Sequence, residues 1–106
     1  MKENQHTEFK ESWHDEYTRY ISAFCNTEGG VLYIGIDDKG EVIGIEQPKR
    51  LIEKLPNFIA QKTGIMPLIH LREKAGKEYL EIEVQPSAMP ISVHGRYYIR
   101  SGSVTS

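Results

Sequence analysis

Residues 23–38 read Ala-Phe-Cys-Asn-Thr-Glu-Gly-Gly-Val-Leu-Tyr-Ile-Gly-Ile-Asp-Asp, a helix end, a strand and a turn in direct succession. Residues 31–36 are apolar almost throughout and rich in β-branched side chains, which is typical of a central strand covered on both faces. Gly29 or Gly30 can supply the left-handed residue that closes a helix. Residues 37–40, Asp-Asp-Lys-Gly, have the composition of a turn. The stretch therefore predicts a helix that leads directly into the central strand.

The helix is predicted upstream, over residues 13–25. Ser12, with Asp15 three residues on, approximates a capping box at its N-terminus. Large apolar side chains recur at helical spacing, so the helix should bury one face. The aromatic members of that face are interpreted as core, and they are Trp13, Tyr17, Tyr20 and Phe24. The residues before the helix, up to Lys10, are predicted to be extended.

Downstream, residues 41–45 are predicted to return as a strand, forming a hairpin with residues 31–36. A second helix should begin at Pro48 and end at Gly64, with Pro56 kinking it or splitting it in two. Its apolar face comprises Leu51, Ile52, Leu55, Phe58 and Ile59.

Three more strands are predicted, at residues 66–73, 77–84 and 96–100. In the second of them, Leu80, Ile82 and Val84 should point inward because they alternate with glutamates. The whole pattern predicts one α/β (α+β) domain with a mixed, largely antiparallel sheet and two main helices.

Composition excludes several classes of protein. The chain has 106 residues, 39% hydrophobic and 26% charged, which are ordinary values for a globular domain. No apolar run is long enough for a membrane span and no signal peptide is recognisable, so a cytoplasmic protein is expected. Cys25 is the single cysteine, which excludes an internal disulfide and a zinc site built on thiolates.

Charge is distributed unevenly along the chain. Residues 1–46 carry four Lys and Arg against ten Asp and Glu, whereas residues 47–106 carry nine against five. The basic half could contact phosphate and the acidic half could hold a cation. The alternative is that both halves simply have solvated faces. The net charge of −2 argues against tight nucleic-acid binding, which depends mainly on phosphate neutralisation.

Alternate positions of the last predicted strand combine cations with an aromatic ring. Arg96, Tyr98 and Arg100 should share one face, where guanidinium groups suit phosphate and the ring suits base stacking. A charged edge strand that resists aggregation gives the same pattern. Lys10 is a further candidate phosphate ligand, with an ion pair to Glu8 as the alternative.

Three blocks in this order resemble the Schlafen AlbA-type domain, also called the divergent AAA or DNA-binding domain. They are Glu3-(x4)-Glu8-Phe9-Lys10, residues 23–38, and residues 97–103, Tyr-Tyr-Ile-Arg-Ser-Gly-Ser. The resemblance implies an AlbA-related fold over residues 1–106, as the N-terminal domain of a longer bacterial protein. That protein would be a transcriptional regulator or helicase-related. The implied function is nucleic-acid binding without a cofactor, with DNA favoured over RNA, and the family's arginine-glycine-serine block adds Ser103 to the candidate contacts.

The same resemblance implies an alternative function, because domains of the Schlafen branch cleave tRNA and rRNA with a divalent metal. The implied ligands of Mg²⁺ or Mn²⁺, which are also the catalytic residues, are Glu3, Glu8 and Asp37, with Asp38 as an alternative to Asp37. Glu3 and Glu8 would lie on opposite faces of a regular strand, so a turn or bulge between them is required. Solvated glutamates and a turn-forming Asp37 are the competing interpretation.

A third class is a dimerisation or protein-interaction module, in which the chain would form a homodimer. A non-catalytic binding domain is favoured over the enzyme and over this module.

Overall fold

In the computed structural model, which describes residues 2–106, the predicted central strand is β2, Gly30–Ile34. It lies between a parallel strand, β1 at Thr7–Lys10, and an antiparallel one, β4 at Lys77–Val84. Strand β3, Leu68–Lys74, pairs antiparallel with β4 at the far edge, so the order is β1-β2-β4-β3. The predicted mixed, largely antiparallel sheet with two helices is confirmed.

Parallel pairing of β1 with β2 requires a crossover, and helix α1, Thr18–Cys25, lies in that connection. The helix begins later than predicted, after a 3₁₀ turn at Asp15–Tyr17. The capping box does not form, because the Asp15 carboxylate accepts hydrogen bonds from the Trp13 indole at 2.7 Å and from Lys54 Nζ at 3.0 Å.

The end of α1 follows the prediction. Gly29 has a φ of +77°, and its N–H donates to the Phe24 carbonyl at 2.8 Å. Gly30 is required for a different reason, since a Cβ there would lie 2.6 Å from the Phe24 ring and 2.8 Å from the His6 carbonyl oxygen. The glycine pair therefore lets α1 approach β1 and β2 closely.

The predicted hairpin between residues 31–36 and 41–45 forms only as a turn. The Asp37 carboxylate accepts the N–H groups of Lys39 and Glu41, both at 2.9 Å, as turn chemistry predicts. Residues 41–45 are not a strand, however, and contact the end of β2 through an isolated bridge between Ile36 and Val42. The prediction is wrong because β1 and β4 occupy both edges of β2.

Helix α2, Pro48–Thr63, is continuous, so Pro56 does not split it in two, and the kink that was the other predicted outcome stays a prediction. The proline removes a hydrogen bond to the Ile52 carbonyl. Leu55 and Ile59, on either side of it, are both fully buried and anchor the two halves. The helix ends at Gly64, with a φ of +76°, as predicted.

The core lies where both helices meet the sheet. Leu80, Ile82 and Val84 of β4 point into it as predicted, and Leu32 and Ile34 of β2 join them. The opposite face of β2 is only partly covered, contrary to the prediction, with the Tyr33 ring 6.4 Å from that of Tyr79. Of the predicted aromatic core, Phe24 and Tyr20 are buried, whereas Trp13 and Tyr17 pack at its margin.

The predicted strand over residues 96–100 is broken into two hairpins. One pairs β5, Ser92–Val93, with β6, Arg96–Tyr97, and the other pairs β7, Arg100–Ser101, with β8, Val104–Thr105. The break occurs because the Asn26 side-chain amide donates to the carbonyl oxygens of Ile91 and Tyr98, both at 2.9 Å. The Tyr98 carbonyl therefore bonds to the residue that caps the C-terminus of α1 rather than to a strand.

Within residues 2–106, neither helix has the length and apolar composition of a membrane span.

The close approach at Gly30 generates a prediction. Gly30→Ala should lower the free energy of unfolding by about 3 kcal/mol, because the new methyl group would overlap the Phe24 ring and backbone that cannot move freely. Urea unfolding followed by circular dichroism measures the change.

The matched control is Gly76→Ala. Gly76 has a φ of +78° but open space around it, so the substitution should cost only the left-handed conformation, about 1 kcal/mol. Equal losses in the two variants would contradict the close-packing explanation.

Candidate functional site

A reverse turn at the N-terminus brings Glu3 and Glu8 together. Asn4 and Thr7 exchange backbone hydrogen bonds of 3.1 and 3.3 Å, and Glu3 Oε2 accepts the N–H of Phe9 at 2.9 Å. This is the turn that the odd spacing of the two glutamates requires. As a result the two carboxyl groups lie close enough for each to shift the pKa of the other.

The two members of the pair differ in protonation. Burial, together with the adjacent Glu3 carboxyl, raises the pKa of Glu8 to about 7. Burial acts in the same sense on Glu3, but hydrogen bonds from Glu8 and from the Phe9 N–H outweigh it and lower the pKa of Glu3. Near neutral pH, Glu3 is therefore ionised, whereas Glu8 is only partly ionised.

Arg100 is buried beneath this pair, and all five of its N–H donors are used. Its Nη1 donates to Glu8 Oε1 at 2.5 Å and to Thr105 Oγ1 at 3.1 Å. Its Nη2 donates to the carbonyl oxygens of Asn4 and Thr7, both at 2.7 Å, and Nε donates to Asn4 at 3.2 Å. The guanidinium predicted to contact phosphate is thus engaged within the fold and fastens the C-terminal hairpin to the N-terminal turn.

Lys10 is placed between the carboxyl pair and two tyrosines. Its Nζ lies 3.7 Å from Glu8 Oε2 and about 5 Å from the ring centres of Tyr17 and Tyr20. Burial disfavours the charged form of Lys10 and acts to lower its pKa. The Tyr20 hydroxyl and the Glu8 carboxylate outweigh burial, so the pKa of Lys10 is raised. The ion pair with Glu8 that was one of its two predicted roles is present, and about a quarter of the side chain stays exposed.

An open groove of about 570 Å³ lies between α1 and the C-terminal hairpins. Arg19, Tyr20, Arg96, Tyr98 and Ser103 line it, with Glu8 at its floor. Each arginine lies over a ring, Arg19 over Tyr20 at 5.1 Å and Arg96 over Tyr98 at 5.4 Å. We call this groove, defined by those residues, the arginine–tyrosine groove.

Arg19 was not singled out by the sequence analysis. Its Nη2 donates to the Tyr20 hydroxyl at 3.3 Å, and this bond is the main reason that the pKa of Arg19 is raised. One signal could have found it, since no other Lys or Arg occurs between Lys10 and Lys39. A single cation on a helix that is otherwise apolar, aromatic and uncharged suggests a role on its exposed side.

The predicted residues thus fall into two neighbouring sets. Glu3, Lys10 and Arg100 surround Glu8, whereas Arg96, Tyr98 and Ser103 line the groove. Arg96 and Arg100 do not share a face as predicted, because the chain bends between them and Arg96 is exposed while Arg100 is buried.

Asp37 joins neither set. Glu8 is level with Leu32 in the β1–β2 register, and Asp37 lies five residues beyond Leu32, past the end of β2. Its carboxylate is occupied by the turn, and Asp38 is exposed in that turn.

The residues present do not fit the divalent metal that the resemblance implies. Among residues 2–106, no three His, Cys, Asp or Glu side chains come close enough together to hold an ion. Mg²⁺ and Mn²⁺ are held mainly by carboxylate oxygens, but the Glu8 carboxyl is buried and already faces the cations Arg100 and Lys10. The predicted ligand set of Glu3, Glu8 and Asp37 is not assembled, so we derive no metal-dependent step.

Comparison with known proteins adds the family. The model of the family described as Schlafen, AlbA_2 matches residues 3–106, which is almost the whole chain. The chain belongs to the Schlafen AlbA_2 family. The resemblance found in the three sequence blocks is confirmed.

Two solved structures share the fold. The DIP2311 protein from Corynebacterium diphtheriae matches with a TM-score of 0.81 and 24% identity over 96% of this chain. This chain spans only 22% of that protein's chain. The N-terminal domain of a RecG-related protein from Nitrosomonas europaea matches with a TM-score of 0.69 and 25% identity, covering 92% of this chain and 79% of that one.

The buried guanidinium generates a prediction. Arg100→Lys should lower the free energy of unfolding by about 3 kcal/mol, because an ammonium group cannot supply five donors in a plane and leaves buried acceptors unpaired. Arg96→Lys is the matched control, and at that exposed position the change should stay below about 0.5 kcal/mol. Urea unfolding of both variants measures the difference, and similar values would contradict the assigned role of Arg100.

The raised pKa of Glu8 predicts how stability depends on pH. A carboxyl whose pKa is higher in the folded than in the unfolded protein stabilises the fold at low pH and loses that contribution as pH rises through the folded value. The free energy of unfolding should therefore fall by on the order of 2 kcal/mol as pH rises from about 5 to about 8, through the pKa of about 7.

Glu8→Gln is the control, because it keeps hydrogen-bonding groups but does not titrate in this window. Its free energy of unfolding, measured in urea at the same pH values, should lack the part of the slope that Glu8 contributes. Identical slopes in the two proteins would show that Glu8 does not titrate near neutrality.

Proposed function

We propose that the chain is a nucleic-acid-binding domain, with DNA favoured over RNA, and that the arginine–tyrosine groove is its contact surface. The observation that carries the proposal is the pairing of Arg19 and Arg96 with tyrosine rings inside one open groove. Guanidinium groups bind phosphate oxygens, and aromatic rings stack on bases. Ser103, exposed at the rim, can donate its hydroxyl to a phosphate, and Lys10 lies next to the groove.

The charges around the groove set the strength of this binding. Arg19 has a weak ion pair with Glu16 at 3.8 Å, and Arg96 is exposed, so both guanidinium groups can reach a ligand. The rest of the chain is acidic overall, with a net charge of −2. We therefore expect modest affinity that falls as salt increases.

The biological setting belongs to the same proposal. The family is associated with proteins that act in nucleic-acid processes. The relative from Nitrosomonas europaea is described as related to the ATP-dependent DNA helicase RecG. In the protein from Corynebacterium diphtheriae the matching region is one part of a much longer chain. We propose that this domain likewise works at the N-terminus of a longer cytoplasmic bacterial regulator or helicase-related protein.

The test is direct binding, measured by fluorescence anisotropy with labelled single-stranded DNA, duplex DNA and tRNA over a series of salt concentrations. Arg96→Ala should weaken binding about tenfold and reduce the slope of log affinity against log salt by about 1, because one phosphate contact is lost.

Arg72→Ala is the matched control. Arg72 is an exposed arginine on β3, at the opposite edge of the sheet, and its Nε lies 3.2 Å from Glu81. Arg72→Ala should leave both the affinity and the slope of log affinity against log salt unchanged. An equal loss in Arg72→Ala would indicate non-specific attraction, and no binding by the unaltered chain would overturn the proposal.

A further inference from the structure

The dimensions of the arginine–tyrosine groove restrict what can enter it. Its volume of about 570 Å³ falls within the range of small-molecule sites, about 300–1,000 Å³. A nucleotide or two would fill such a space. A duplex could contact only the rim, where Arg96 is exposed.

The groove also offers a stacking surface. Tyr98 is half-buried, and its carbonyl is fixed by the Asn26 side chain at 2.9 Å, so the backbone that carries the ring is anchored to α1. The Arg96 guanidinium lies over one face of that ring, 5.4 Å from its centre, which leaves the other face for a base. Aromatic rings and guanidinium planes are the surfaces on which proteins stack unpaired bases, and bases in a duplex cannot reach them.

The charges near the groove are too few to bind a duplex. Duplex binding gains its affinity from many phosphate contacts, commonly about 6–10. Here Arg100 is fully engaged inside the protein and Lys10 is paired with Glu8, which leaves Arg19 and Arg96 to contact phosphate. With a net charge of −2 on the chain, base stacking has to supply much of the affinity.

We infer that the arginine–tyrosine groove takes an unpaired nucleic-acid segment, a single strand or a loop, with a base stacked on Tyr98 and the adjoining phosphates at Arg19 and Arg96. The inference rests on the proposed function and narrows it from nucleic acid in general to unpaired strands. The inference does not distinguish DNA from RNA, because the group that stacks is the base and not the sugar.

The experiment compares a labelled 12-nucleotide single strand with the 12-base-pair duplex of the same sequence, in fluorescence anisotropy at one salt concentration. The single strand should bind at least tenfold more tightly. Tyr98→Leu should remove about tenfold of the single-strand affinity and change duplex binding little.

Tyr97→Leu is the matched control, since Tyr97 is exposed, adjacent in sequence and outside the groove. It should leave both affinities unchanged. Arg96→Lys is a second test of stacking, because it keeps the positive charge but removes the planar guanidinium group. Arg96 is exposed, so the substitution should not disturb folding. It should weaken single-strand binding several-fold more than duplex binding.

The outcomes separate the two proposals. A duplex bound as tightly as the single strand, with dependence on Arg96, would overturn this inference and retain the nucleic-acid-binding function. Binding of neither oligonucleotide would overturn both. Equal losses in Tyr98→Leu and Tyr97→Leu would overturn the stacking contact at Tyr98.

Discussion

The buried guanidinium of Arg100 is the interaction on which the arrangement of both chain ends depends. It joins residues that are more than 90 positions apart, with Glu8, Asn4 and Thr7 on one side and the last hairpin on the other. Strand β1 has only four residues and lies at the edge of the sheet, so it gains much from this attachment. Removing either Arg100 or Glu8 would leave the other buried without its partner, so the fold depends on both being present. One wall of the arginine–tyrosine groove is placed by the same contact.

Local patterns predicted the parts of the fold that depend on neighbouring residues. Alternation gave the inward face of β4, and the glycines after α1 and α2 gave the helix ends. What failed depended on distant partners. Residues 41–45 look like a strand, but nothing nearby in sequence reveals that β1 and β4 already occupy β2. The prediction that Arg96 and Arg100 share a face was wrong for a similar reason. Asn26, which is distant in sequence, bonds to the Tyr98 carbonyl between them.

The candidate site shows the same division. Residue types carried over from the family resemblance identified Glu3, Glu8 and Arg100 as special, and the structure does bring these three together. Their roles could not be predicted, because whether a carboxyl binds a cation or shares a proton depends on burial and on which charges face it. Arg19 could not be predicted from the sequence, because the groove that it lines forms only when the C-terminal hairpins pack against α1.

The Gln5 side chain extends the contact between the two ends of the domain. It donates to the Arg100 carbonyl at 2.9 Å and accepts the Gly102 N–H at 2.8 Å, next to the bonds of Arg100 itself. A force that pulls the two ends apart would load these bonds side by side before it reached the sheet. Bonds loaded in parallel share the tension and resist it together. Separating the N-terminal turn from the last hairpin therefore requires the bonds of Gln5 and Arg100 to break together.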